Sequence, residues 1–355
     1  MAGPLAKYAL INAKVRARIS KLLSEETLQR MIRAGSLEEA LGMLHDTPFN
    51  VLEEIYANTG ELKLGELELV KNEIGVYMTI EKYVHKDTRD FVHALLYRYE
   101  IDNLKNAIRL FFDRKIRKRS IDEAVHYILY DKVVHNLDID AIVNADNLDD
   151  IAEALKPAPY STIIDEYKER VMQDGSLFRL EMALDHFFYK NLINQTNNLS
   201  KRDRKEALRL IGVEIDLQNI NWIMRFKNFY SLKLDDVLDL VIPSGFNLGA
   251  QLIQETYSLQ NVTGILQGVV KKNYPGLSTM LTAHAQDSSS RFLLIERVLE
   301  QIMKQEIHRI LVGYPFTIGI ILSYFILKRN EVKQVRTVLN AKQYAIAEER
   351  VEGMI

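Results

Sequence analysis

The segments EIDNL (residues 100–104), DLQNI (216–220) and EVKQV (331–335) share one pattern: an acid, two residues, an amide, then an aliphatic residue. Their acids, Glu100, Asp216 and Glu331, stand 116 and 115 residues apart. A second pattern, E-x-x-L, recurs at Glu66–Leu69, Glu181–Leu184 and Glu296–Leu299, with spacings of 115 and 115. A single five-residue match is weak. Two independent markers on one period define an internal repeat.

A third marker precedes each of these. Helical stretches starting near Leu37, Leu148 and Val262 run into Pro48, Pro159 and Pro275, in the endings HDTPF, KPAPY and KNYPG. Leu37, Leu41 and Leu44 recur at helical spacing behind Ser36, with Glu39 placed to complete a capping box. Leu148, Ile151, Ala152 and Leu155 repeat the stripe behind Asn147, and Val262, Ile265, Leu266 and Val269 do so behind Asn261. Proline cannot continue a helix, so each copy is expected to turn at the same place.

Working outward, the chain divides into repeats at 1–99, 100–215 and 216–314, with closing helices over 315–355. The first helix, about Ala6 to Leu23, is expected to lead copy one. Helices starting at Glu100 and Asp216 lead copies two and three, and one from Glu331 packs back to seal the array. No alternating β-branched runs bounded by turn signals are present, so the expected fold is all-α. A period of ~115 residues is far longer than in ordinary solenoids, which favours three pseudo-symmetric lobes around a central opening.

Composition agrees. Hydrophobic residues form 47% of the 355, ample for a core, while Gly (16) and Pro (7) are scarce, as long helices require. A net charge of −2 gives no overall bias toward nucleic acid. The absence of cysteine excludes disulfides and thiolate chemistry.

The only candidate membrane span is ILVGYPFTIGIILSYFIL (310–327), which Pro315 splits. The segments preceding the other two acids carry Asp90, His93 and Arg98, or Arg204, Lys205, Glu206 and Arg209. Neither would cross a bilayer, so the third is expected to be a core helix as well.

No phosphate-cradling glycine motif and no zinc-like histidine spacing occurs. The acidic stretch DIDAIVNADNLDD (138–150) lacks the turn glycine and terminal glutamate of a calcium loop, and Ser288–Ser290 reads as a polar linker. No catalytic, cofactor or metal site is therefore expected, and no small-molecule substrate or nucleic-acid partner.

On each leading helix the acid and amide border the apolar seam, so they are expected to cap or hydrogen-bond a neighbouring helix. Arg109 and Arg225, nine residues past the acid, fall on roughly the opposite face, with Arg336 near the equivalent place. With Arg16 and Lys227 these are the candidate partner-interface residues. Two basic clusters, Arg114–Arg119 and Lys201–Lys205, read as solvated faces or as contacts for anionic lipid or an acidic protein surface.

YALINAKVRARISKLL (8–23), LHDTPF (44–49), YEIDNLKNAIR (99–109) and GYPFTIGIILSYFILKRNEVKQVR (313–336) resemble the family formed by the C subunits of V/A-type ATPases and their eukaryotic d counterparts, in order and along essentially the whole chain. The resemblance implies a helical funnel on the cytoplasmic face of the membrane, bound peripherally to the proteolipid rotor ring. It also implies that the funnel receives the coiled-coil central shaft with its small companion, and transmits torque without being an enzyme or holding a cofactor. Gly276, where other copies have Phe49 and Tyr160, departs from the pattern. A helical scaffold of a different assembly, or a helical enzyme with a dispersed site, remains the alternative.

Overall fold

The computed structural model describes residues 3–226, 232–247 and 288–352, with 249, 253–254, 257–258, 270 and 274–277 between them. Every regular element among these is helical. The helices are α1 (Pro4–Ile19), α2 (Glu25–Arg33), α3 (Leu37–Gly42), α4 (Asn50–Thr59), α5 (Leu62–Tyr83) and α6 (Lys86–Lys115), then α7 (Ile139–Asn144), α8 (Leu148–Ala154), α9 (Ser161–Asp174) and α10 (Phe178–Gln195). They continue with α11 (Lys201–Arg225), α12 (Leu234–Leu240), α13 (Ser288–Val312), α14 (Gly319–Gln343) and α15 (Glu348–Glu352). The chain forms two compact units, residues 1–188 with 321–355, and residues 189–320.

Local chemistry sets the helix starts. Ser36 accepts the N–H of Glu39 at 3.1 Å, while the Glu39 carboxylate accepts the N–H of Gly35 at 2.7 Å. Asn147 and Asp150 do the same ahead of α8, at 3.0 and 3.1 Å. Reciprocal bonds of this kind satisfy donors that a helix start would otherwise leave orphaned. Leu37 and Leu148 begin helices as expected; the corresponding stretch from Val262 to Val269 lies outside the described residues.

Three expectations need correction. The helices bearing the repeated acids begin well upstream, so Glu100, Asp216 and Glu331 sit inside α6, α11 and α14. Nothing in DFVHALLYRYE or RKEALRLIGVE breaks a helix, and even Gly212 is accommodated. A Cβ there would sit 2.9 Å from that of Phe246, whose backbone N–H bonds the Gly212 carbonyl at 3.2 Å, so glycine permits that close approach. Ser288–Ser290 is the first turn of α13, not a linker.

The third correction concerns copy one. α14, not α1, brings its acid and its apolar seam to the helices of that copy. Val335, Val338 and Leu339 of α14 are fully buried in one cluster with Met31, Leu41, Leu44, Phe49 and Leu52. The segment 310–327 is interrupted by a turn at 313–318, and Ile320 to Ile326 are buried in protein. No described helix is long and apolar enough to cross a membrane.

In the first unit α5, α6 and α14 also meet through aromatic rings. Tyr77 lies 5.8, 6.1 and 5.4 Å from Tyr99, Tyr324 and Phe325, centre to centre. Among them sits Glu73, 5% exposed, accepting only the Tyr99 hydroxyl at 3.0 Å. Its other oxygen has no partner. Burial pushes its pKa up to about 7, against the pull of Lys328, the Tyr99 hydrogen bond and Arg329.

This packing yields two expected outcomes. Leu339→Ala should cost about 2–5 kcal/mol in urea unfolding, because it opens a cavity where α14 is seated. Between the usual carboxylate pKa and about 7, the folded chain holds a Glu73 proton that the unfolded chain has released. Stability must therefore fall as pH rises through that window, by up to about 3 kcal/mol. Glu73→Gln should flatten this slope and raise the melting temperature above pH 7.

Candidate partner interface

The repeated acid and amide act on the chain itself. In α6 one Glu100 oxygen accepts the backbone N–H groups of Val134 and His135 at 2.8 and 2.6 Å. The other accepts the Tyr160 hydroxyl at 2.7 Å and lies 2.7 Å from His135 Nδ1. Asp216 of α11 accepts the N–H of Asn247 at 2.6 Å, and Glu331 of α14 that of Leu23 at 2.5 Å. The amides add two-point bonds. Asn103 donates to the Leu129 carbonyl at 2.7 Å and accepts its N–H at 2.9 Å; Asn219 does both to Ile242 at 2.8 Å. Their targets are non-helical backbone, whose groups need partners once buried. These residues hold connecting segments against the helices, and the neighbour is a loop where a helix was anticipated.

Substitutions around the clamp are compensated chemically. Tyr160 supplies a hydroxyl to Glu100, whereas Phe49, after the matching proline, cannot. Instead Lys328 stands 3.8 Å above the Phe49 ring and donates to Glu331 at 2.9 Å. An ammonium over an aromatic face replaces a phenol.

The candidate arginines prove to be partners of the second repeated marker. Arg109 makes a bidentate pair with Glu181 at 2.6 and 2.8 Å, which raises its pKa. Arg336 bonds Glu66 at 2.8 Å, and Asn340 adds a bond to the same carboxylate at 2.9 Å. Both arginines remain 49% exposed. Arg16, half-buried on α1, bonds Asn12 at 3.2 Å. Arg225 ends α11 but its side chain, like the whole of Lys227, lies outside the described residues. Arg16, Arg109 and Arg336 thus sit on three helices, each tied to its own neighbours.

Sequence reasoning missed two arrangements. One is a buried network in which Asp185 of α10 accepts from Arg98 at 2.9 Å and Lys105 at 2.5 Å. No spacing signals it, since α6 and α10 are far apart in the chain. The other is the engagement of four cations of the first basic cluster by carbonyls and acids of the chain itself. Arg114 caps the carbonyls of Val143 and Ala145, Lys115 pairs with Asp146, and Arg117 and Arg119 share Asp113. Among the described residues no group of side chains has the makings of a metal site.

These contacts differ in worth. A double-mutant cycle on Arg336→Ala and Glu66→Ala should give a coupling of about 1 kcal/mol, at the upper end for exposed ion pairs, because Glu66 is buried while Arg336 is half exposed. Tyr160→Phe alone should cost about 1.5–3 kcal/mol, because it removes a buried hydrogen bond to a charged group.

The model of the ATP synthase (C/AC39) subunit family matches residues 11–354. Among curated proteins, the A-type ATP synthase C subunit of Methanothermobacter thermautotrophicus is 24% identical over 340 residues, covering 96% of this chain and 85% of that protein. The proteins of the same name from Methanocaldococcus jannaschii and Methanosarcina mazei are 21% and 22% identical, with 99% of this chain covered in both and 86% and 93% of theirs.

Proposed function

Since the chain belongs to the ATP synthase (C/AC39) subunit family, we propose that it is the non-catalytic central-stalk subunit of a V/A-type rotary ATPase or ATP synthase. In this role it links the rotor shaft to the membrane proteolipid ring and transmits torque for proton or sodium transport. The observation that carries this reading is the extent of the family match, which runs from residue 11 to residue 354 and leaves no room for an additional large domain within the chain.

The internal repeat supports the mechanical side. Three helical copies, 1–99, 100–215 and 216–314, with closing helices at 315–355, form a pseudo-three-fold funnel around an opening. The return of α14 to the helices of copy one supports closure, since it joins the two ends of the chain through a buried core. Torque transmission requires stiffness. Buried carboxylate clamps and well-packed helix seams resist deformation because interiors pack like solids. The partners of the funnel are the central-shaft coiled-coil subunit with its small companion, and the proteolipid ring at the cytoplasmic face. Arg16, Arg109, Arg225, Lys227 and Arg336 are the proposed contact residues, the ion-paired ones sharing their charge with acids of the partner.

A tagged copy of the chain should be recovered from detergent-solubilised native membranes and everything retained with it identified by mass spectrometry. The expected result is the proteolipid ring together with shaft and head proteins. A chain that returns with none of them is a helical scaffold of another assembly, and the rotor reading is then wrong.

A further inference from the structure

The two basic clusters look alike in sequence and differ in what surrounds them. The first is spent on internal carbonyls and acids, as described above. In the second, at the start of α11, Lys201, Arg202, Arg204 and Lys205 are all exposed, and none pairs with an acid among the described residues. The local acids are engaged elsewhere. Asp203, 3% exposed, accepts the N–H of Ile318 at 2.8 Å and the Ser200 hydroxyl at 2.7 Å. Glu206 pairs with Arg309.

The Asp203 bond also ties the turn 313–318 to the first turn of α11. That turn bends at Gly313, where a Cβ would stand 2.7 Å from the Arg309 carbonyl oxygen. It presents Val312, 69% exposed, and Tyr314, 44% exposed. The Arg202 guanidinium lies 4.2 Å from the centre of the Tyr314 ring, which rests edge-on against Phe316 at 5.6 Å. Arg202 thus joins the cluster of four exposed cations to the exposed Tyr314.

Stability does not account for this patch. A helix N-terminus carries partial positive charge, so cations there oppose the fold. Val312, two residues from Tyr314, adds further exposed apolar surface. Tyrosine beside lysine and arginine is the composition of a membrane–water interface. We infer that Lys201, Arg202, Arg204 and Lys205, with Val312 and Tyr314, form a docking surface for anionic phospholipid headgroups. Charge complementarity to a broad anionic surface favours lipid headgroups: four exposed cations flank the buried Asp203 at one helix start, and the tyrosine stacked on Arg202 suits the headgroup layer. The inference goes beyond the proposed function and rests on it only for nearness to a membrane.

The test is co-sedimentation of the purified full chain with vesicles of phosphatidylcholine alone, or of an equal mixture with phosphatidylglycerol. The chain should pellet with the mixed vesicles only, and rising salt should release it. Each cation near an anionic bilayer strengthens partitioning by about five-fold, so the triple variant Arg202→Glu, Arg204→Glu, Lys205→Glu should lose at least about ten-fold. Its melting temperature should not fall, because acids suit a helix N-terminus, so lost binding cannot be ascribed to unfolding. Reversing Arg117 and Arg119, which already share Asp113, should weaken vesicle binding less than the triple variant does.

Equal binding to both vesicle types, no binding at low salt, or an unaffected triple variant would each overturn the inference. If the triple variant instead loses its protein partners in the membrane pull-down while wild type ignores vesicles, the patch docks a protein. The rotor reading stands or falls by the wild-type pull-down, independently of any vesicle result.

Discussion

Burying a carboxylate at the edge of a helix seam obliges the fold to bring donors to it, and this obligation organises the molecule. Glu100, Asp216 and Glu331 each receive at least one backbone N–H from a non-helical segment, so connections that would otherwise wander are held against long helices. An unsatisfied buried charge costs several kcal/mol, whereas a charge-assisted hydrogen bond returns about 1.5–3. The preference for the clamped arrangement is therefore steep. The amides at Asn103 and Asn219 extend it by pairing with both the N–H and the C=O of one residue, as a neighbouring strand would.

The seating of α14 follows from the same chemistry acting across 308 residues. Glu331 reaches Leu23, Arg336 reaches Glu66, and Val335, Val338 and Leu339 fill the core between them. The apolar contacts supply most of the stabilisation and the polar ones set the register, because hydrophobic burial is non-directional. Within this seam Glu73 is the exception. It is enclosed by aromatic rings with one oxygen unpartnered, and burial raises its pKa. The seam thus becomes less stable as pH rises toward neutrality, the reverse of an ordinary ion-paired carboxylate.

Much of this was legible in advance. The periods of the acid–amide and E-x-x-L patterns, the proline endings and the capping residues at Ser36 and Asn147 are local signals, and local signals survive in a single sequence. Helix starts at Leu37 and Leu148 follow from them. The starts of α6, α11 and α14 were misplaced because the repeated motif was taken to open each helix, although nothing upstream of it breaks one. The ion pairs of Arg109 and Arg336 are invisible to spacing because their acids lie 72 and 270 residues away. Arg109 with Glu181 and Arg336 with Glu66 join two markers that the sequence shows only as parallel series.

By itself the sequence determined that the chain is helical, that short acid–amide and E-x-x-L patterns recur in it, that it carries no recognised catalytic motif, and that the apolar stretch around Pro315 is a poor membrane span. Each of these rests on spacing, composition or a backbone rule that acts within a few turns. Tertiary structure alone decided that α14 packs into the core of residues 28–69, and that Lys115, Arg117 and Arg119 meet acids while Lys201, Arg202, Arg204 and Lys205 meet none among the described residues. The physical reason is common to both. Which acid or carbonyl lies within about 3 Å of a cation depends on chain folding across tens to hundreds of residues, and charge has no periodicity from which that partner can be read.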